Sequence, residues 1–178
     1  DTVVVAATGN RADLVDFVND VAVPTNAMRG DSLPVSAFEK YVDGQFPQGS
    51  AAYEKRGVAV MVPEWNPNNC IQCNTCSFVC PHATIRPYAL NEEEAANAPE
   101  STKFAAKMIG KGCESYKYTI AISPLDCMGC GVCVDVCPTK PEKRALKMVP
   151  QSTQMDQQAA FDYAVANISK KETPFADT

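Results

Sequence analysis

Cys70-Ile71-Gln72-Cys73-Asn74-Thr75-Cys76-Ser77-Phe78-Val79-Cys80-Pro81 is answered further along the chain by Cys127-Met128-Gly129-Cys130-Gly131-Val132-Cys133-Val134-Asp135-Val136-Cys137-Pro138. Both stretches read C-x2-C-x2-C-x3-C-P. Three thiolates two residues apart grip three corners of one iron–sulfur cube from a tight loop. The fourth cysteine lies one helical turn further on and points elsewhere. In chains with two such runs it ligates the cube held by the other run. The spacing therefore assigns one 4Fe–4S cluster to Cys70, Cys73, Cys76 and Cys137, and a second to Cys127, Cys130, Cys133 and Cys80. Proline after each fourth cysteine fixes φ, lacks an N–H and turns the chain away.

A single C-x2-C pair reads equally as zinc or a redox dithiol, but zinc sites use separated pairs of ligands rather than three at spacing three plus a fourth at four. A disulfide framework belongs to small chains in oxidising compartments. Nine cysteines, eight of them in the runs, point to a reducing interior, the cytosol or an organelle matrix. The ninth, Cys113, stands outside both runs and is expected to be a small buried or idle thiol. His82, the only histidine, is expected to have a structural role, because eight thiolates already complete both sets.

The remaining composition narrows the function. The chain of 178 residues has 21 acidic and 16 basic side chains, a net charge of −5, which argues against nucleic-acid binding. No apolar run approaches the length of a membrane helix. There is no Gly-rich dinucleotide fingerprint, P-loop or nucleophile–base constellation, so no catalytic residue is assigned. Both four-cysteine sets are complete, leaving no iron open to substrate, and that favours electron relay over chemistry at the metal. A start at Asp1 without a methionine or a signal peptide suggests a processed chain or a piece of a longer one.

Outward from the runs, the pattern predicts an α+β fold with four strands. Val58–Val62 alternates and is closed by Pro63; Thr84–Tyr88 follows the first run. Lys117–Ile122 precedes the second run, and Ala145–Val149 follows it. The order strand, cysteine loop, strand, insertion, strand, cysteine loop, strand is a duplication. It predicts pairing of the first strand with the fourth and of the second with the third. Residues 91–115 are an insertion whose Glu92–Ala96 and Lys103–Ile109 segments have helical composition. Backbone N–H groups of 71–77 and 128–134 are the expected donors to sulfur, with Gly129 and Gly131 permitting close approach. Ile71, Phe78, Val79, Val132, Val134 and Val136 are expected to pack around the cubes, and Trp65 to act as a lid.

The ends read less clearly. Asn10 is a candidate cap for a helix with Leu14, Phe17, Val18 and Val21 on one face, ended by Pro24. That helix is expected either to cover the cluster domain or to belong with a neighbouring domain. Residues 24–57 alternate turn formers with single apolar anchors, as a wrapping segment does, and Tyr53-Glu54-Lys55-Arg56-Gly57 reads as a solvated turn or a docking contact. Met155, Ala159, Tyr163 and Ala166 suggest a final amphipathic helix before a linker-like end. The domains are then 1–57, an N-terminal helix and wrapping extension; 58–150, the two-cluster domain; and 151–178, helix and linker.

The cysteine runs resemble the bacterial two-cluster ferredoxins, which implies their pseudo-twofold fold. The flanks resemble something narrower. Gly30-Asp31-Ser32-Leu33-Pro34-Val35-Ser36-Ala37-Phe38, Tyr53-Glu54-Lys55-Arg56-Gly57-Val58-Ala59, Cys70-Ile71-Gln72-Cys73-Asn74, Cys80-Pro81-His82-Ala83-Thr84-Ile85-Arg86-Pro87 and Ser123–Cys133 are similar to the ferredoxin-like domain of pyruvate:ferredoxin oxidoreductase, over roughly 24–150. The resemblance implies that the two cubes are the outer two of three clusters carrying electrons from a thiamine diphosphate site to ferredoxin, or to a flavin domain in fused enzymes that reduce NADP. Thiamine diphosphate, coenzyme A and the third cluster would belong to domains outside this sequence, so this chain alone would be a carrier. The alternative is a free-standing two-cluster ferredoxin or small electron-transfer subunit.

Overall fold

Residues 3–4 and 7–171 are described by the computed structural model, and the chain sorts into two units, 1–57 and 58–178. In the first unit β1 (Val3–Val4) pairs antiparallel with β2 (Glu54–Lys55). Between them α1 (Ala12–Phe17) runs into a π-helical turn at Val18–Ala22 and then into α2 (Val23–Asn26). Asn10 is not the cap: Arg11 holds that position, and no side chain caps the helix. Nor does Pro24 end the helix. A proline in a regular α-helix clashes with the preceding turn, and the wider π turn ahead of it relieves that clash. Thr25 Oγ1 donates to the Val21 carbonyl at 2.7 Å.

Ala7, Phe17, Val18 and Val21 are buried together, with Leu14, Leu33, Tyr41 and Tyr53 packed against them. Phe17 stacks on Phe46 at 4.8 Å and meets Tyr41 edge-on at 5.0 Å. Residues 24–57 thus supply part of a core closed around the helix, rather than a wrap of single anchors. Three 3-10 segments, Gly30–Ser32, Val35–Tyr41 and Ser50–Tyr53, make the turns. Glu54 and Lys55, expected in a turn, form β2, and Arg56 Nε donates to Glu54 Oε1 at 2.6 Å.

The second unit rests on two antiparallel ladders. β3 (Met61–Trp65) pairs with β6 (Leu146–Pro150), Pro63 opposite Met148. β4 (Ile85–Leu90) pairs with β5 (Lys117–Ile122), Pro87 opposite Ile120. Pro63 lies inside β3 rather than closing it, and the strand starts at 61 rather than 58. Each strand of a two-stranded ladder is an edge, where a missing N–H is tolerated. Two four-residue helices, α3 (Thr75–Phe78) and α5 (Val132–Asp135), sit inside the cysteine runs, and α4 (Glu92–Ala96) opens the insertion. Asn91 and Glu94 close a reciprocal capping box there: the Glu94 N–H donates to Asn91 Oδ1 at 2.8 Å, and the Asn91 N–H to Glu94 Oε2 at 2.9 Å.

Lys103–Ile109 is not helical. It lies beside β5 instead, with the Ala105 N–H donating to the Tyr118 carbonyl at 2.9 Å and Thr119 Oγ1 to the Lys103 carbonyl at 2.6 Å. Pairing with a strand edge overrides its helical composition. The final helix α6 (Gln157–Asn167) is present, but its buried face is Gln158, Ala160, Phe161 and Ala164. Met155, Ala159 and Ala166, expected on that face, are exposed, and Tyr163 is half-buried. Phe161 and Ala164 pack with Ala121 of β5, and the Arg86 guanidinium lies 5.2 Å from the Phe161 ring, which fixes the rotation of the helix. The end from Lys170 reads as a linker, but Lys171 Nζ is ion-paired with Glu94 Oε1 at 2.6 Å; residues 172–178 lie outside the described residues.

Candidate iron–sulfur centres

Each cysteine run leaves its ladder through an anchored turn. Before the first, Asn66 Oδ1 accepts from the Asn68 N–H at 3.0 Å, and Asn69 Nδ2 donates to the Arg144 carbonyl at 3.2 Å, holding the loop to the chain entering β6. Before the second, fully buried Ser123 places its hydroxyl 2.7 Å from Asp126 Oδ2 and 2.9 Å from Gln158 Oε1, and the Leu125 N–H donates to that Gln158 oxygen at 3.3 Å. Helix α6 thereby positions a cysteine loop that lies far from it in sequence.

The turns deliver eight cysteines to two cavities. Cys70, Cys73, Cys76 and Cys137 line the first, with Trp65, Ile71, Ile120 and Leu146. Cys127, Cys130, Cys133 and Cys80 line the second, with Pro63, His82, Ile85 and Met148. Each cavity draws three thiols from one run and one from the other. All nine cysteines are unpaired, and Cys113 is buried within the insertion. Among the described residues no three His, Cys, Asp or Glu side chains converge closely enough to hold a single metal ion.

Two kinds of donor reach the sulfurs. Backbone N–H groups of Gln72 and Gly129 donate to Cys70 and Cys127, each at 3.4 Å. Threonine hydroxyls, which the sequence did not single out, lie against other cysteines. Thr75 Oγ1 donates to Cys73 at 3.3 Å. Thr84 Oγ1 is 3.4 Å from Cys80 Sγ, and the Thr84 N–H donates to the same sulfur at 3.3 Å. Thr139 Oγ1 is 3.1 Å from Cys137 Sγ; it accepts from the Ala145 N–H at 3.0 Å, which leaves its own hydrogen for the sulfur. The visible signal was a threonine shortly after each Cys-Pro.

The thiols differ accordingly. Burial, and then the neighbouring Cys70, push Cys76 up to about 11; burial, and then Cys127, push Cys133 up to about 12. For Cys80 and Cys137, burial acts upward too, but the threonine hydroxyls and nearby backbone N–H groups outweigh it, and both lie below the ordinary thiol value. These hydrogen bonds favour the thiolate, the form that binds iron. Tyr118, buried near Cys70, Cys73 and Cys76, has its phenol pushed well upward by burial and by their charge, and its OH donates to Asn74 Oδ1 at 2.6 Å.

The apolar surround keeps Ile71, Val132 and Val134 of the expected set but not Phe78. Phe78 is 87% exposed, because the short α3 turns Cys76 inward and Phe78 outward. Ile71 and Val132 line the cavity mouths, and the walls are Trp65, Ile120 and Leu146 in one and Pro63, Ile85 and Met148 in the other. His82 lines the second cavity. Trp65 is buried, meets Tyr118 edge-to-face at 6.1 Å, and has an indole Nε1 without a hydrogen-bond partner. Four thiols facing a cavity beside an unpartnered buried N–H fit a group that carries sulfur acceptors.

Residues 69–140 match the family model described as "4Fe-4S dicluster domain", and residues 6–59 match one described as "Domain of unknown function". The chain is 48% identical to a pyruvate-flavodoxin oxidoreductase of Klebsiella pneumoniae over 167 residues, 94% of this chain and 14% of that protein. It is 54% identical to a pyruvate:ferredoxin oxidoreductase of Moorella thermoacetica over 136 residues, 76% of this chain and 11% of that protein. A pyruvate dehydrogenase (NADP+) of Cryptosporidium parvum is 50% identical over 126 residues, 71% of this chain and 6% of that protein. The chain thus spans about a seventh or less of the length of these relatives. No helix among the described residues is long and apolar enough to cross a membrane.

Proposed function

We propose that this chain, a relative of one segment of the pyruvate-flavodoxin and pyruvate:ferredoxin oxidoreductases with a 4Fe–4S dicluster domain at its centre, relays single electrons through two cubes. Cys70, Cys73, Cys76 and Cys137 hold one cube; Cys127, Cys130, Cys133 and Cys80 hold the other, in a pseudo-twofold ferredoxin-like arrangement. The observation that carries this reading is the pair of cavities, each lined by three thiols of one run and the last thiol of the other. Four thiols spread around a space, without converging on one point, suit a polynuclear cube better than a single ion.

A cube supplies storage for one electron at a time. The residues of this chain do the rest. Cysteines fix the cubes in two cavities, each walled by residues of both ladders, N–H and O–H groups oriented on sulfur stabilise added negative charge, and Trp65, Ile120, Ile85 and Leu146 keep water away. In the parent protein the electrons would come from a thiamine diphosphate site and a third cluster in other domains and leave to ferredoxin, flavodoxin or a flavin domain. The chain itself carries electrons and makes no bonds.

The test is iron and sulfide analysis with electron paramagnetic resonance on protein purified without oxygen. Two cubes per chain are expected, and a colourless or zinc-loaded preparation would end the reading. Cys76→Ser should damage the cube of the first cavity and leave most of the second. Equal loss of both signals contradicts the ligand sets.

A further inference from the structure

Among the hydrogen-bond donors around the two cavities, most come in matched pairs. The Gln72 and Gly129 amides serve the first cysteine of each run, and Thr84 and Thr139 serve the fourth. Two side chains break the match: Thr75, which donates to Cys73 where the second run has Val132, and Trp65. Trp65 stands five residues before Cys70, where the second run has Ile122 five residues before Cys127. Its ring is 3% exposed and lines the first cavity, yet its Nε1–H has no partner. A buried, unpaired N–H is costly, so native structures rarely leave one without an acceptor. The first cavity is lined by four cysteines, by apolar side chains and by Asn74 and Thr139; neither polar side chain reaches the indole, and Asn74 Oδ1 and Thr139 Oγ1 already accept from the Tyr118 hydroxyl and the Ala145 N–H, so a sulfur of whatever occupies the cavity is the acceptor at hand.

We propose that the Trp65 indole N–H donates to a sulfur of the cube in the first cavity and thereby sets that cube's reduction potential above that of its partner. The inference rests on the two-cube reading. A hydrogen bond to cluster sulfur stabilises the more negative, reduced form more than the oxidised one, so a cube that has an extra donor accepts an electron at higher potential. The second cavity has no counterpart, because Ile122 carries no donor. Trp65 thus adds to the bias that Thr75 gives through Cys73, where the second run has Val132: of the two sites, the one beside Trp65 is where the electron rests.

The test uses the full-length protein, purified without oxygen, with Trp65→Phe and with the sulfur isostere of tryptophan, benzothienylalanine, placed at position 65. The isostere keeps the ring's shape and water exclusion but lacks the N–H. Redox titration followed by electron paramagnetic resonance should show one of the two midpoint potentials falling in both variants. The expected size is about tenfold in the reduced-to-oxidised ratio at fixed poise, or about 59 mV for a one-electron couple. The other potential should stay in place. Unchanged potentials, equal shifts of both cubes, or a shift in Trp65→Phe that the isostere does not reproduce would each overturn the proposal, the last by showing that ring bulk alone matters. If Trp65→Phe loses a cube, the isostere decides. Iron and sulfide content of the unsubstituted protein separates this outcome from failure of the relay reading, since a protein with both cubes and an inert Trp65 refutes only the former.

Discussion

The loops Cys70–Cys80 and Cys127–Cys137 follow one backbone path with different residues. Each needs a left-handed residue just before its second cysteine and another just after it. The first loop places Gln72 (φ 58°) and Asn74 (φ 60°) there; the second places Gly129 (φ 70°) and Gly131 (φ 79°). In the first loop the side chains work. Gln72 Nε2 donates to the Lys107 carbonyl at 2.7 Å, and its Oε1 accepts from the Ile109 N–H at 2.8 Å, so one amide clamps the insertion over the loop. Asn74 receives the buried Tyr118 hydroxyl. In the second loop there is no room at the first position: a Cβ on Gly129 would lie 2.9 Å from the Met61 carbonyl oxygen and 3.3 Å from the Ala59 Cβ. The first loop tolerates strained residues because their side chains are hydrogen-bonded to a neighbour, whereas the second lies against β3 and must do without a side chain.

The sharpest way to break this equivalence is Gly129→Ala. The left-handed conformation costs a non-glycine residue about 1–2 kcal/mol, and the close contact is with backbone, which cannot swing aside. The second cube should be lost and the first kept, read as a halving of iron content with one paramagnetic signal surviving. An intact pair of cubes would mean that the loop can lift off β3 at little cost. The converse change, Gln72→Gly, should be milder. It relieves left-handed strain but deletes both clamp hydrogen bonds, each worth about 0.5–1.5 kcal/mol. Both cubes should remain, while hydrogen exchange at Ile109 and its neighbours accelerates roughly tenfold, the equivalent of about 1.4 kcal/mol of easier opening. Unchanged exchange there would show that the insertion is held by Ala105 and Thr119 alone.

The difference between the loops also explains what the sequence disclosed. Cysteine spacing is a local property, so both runs, the separation of the fourth cysteine and the glycine-rich character of the second loop were legible. So were the ladder partners, because alternation marks strands and the duplication limits how they pair. What escaped depends on contacts across long stretches of chain. Lys103–Ile109 has helical composition, but the open edge of β5 outcompetes it. Thr84 and Thr139 look like ordinary polar residues until the fold sets their hydroxyls against sulfur. The buried face of α6 is displaced by a residue because Ala121 and Arg86 select Phe161. Pro24 read as a stop because a π turn leaves no mark in residue type.

The smallest expected effect concerns the second left-handed position. The sequence suggests that Gly131 lets its loop approach the cube closely; the residue lines the second cavity, and no other part of the chain lies within 4 Å of a Cβ built there. Gly131→Asn copies the first loop, and asparagine is among the few residues that visit the left-handed region routinely. With no steric contact from the rest of the chain, the cost to the fold is backbone strain, about 1 kcal/mol or less, a lowering of the thermal midpoint by a few degrees at most for a unit of this size. Both cubes and both potentials should be unchanged. If Gly131→Asn instead expels the second cube, the space beside residue 131 belongs to the cluster. The two loops would then differ in how near they stand to their cubes as well as in what holds them.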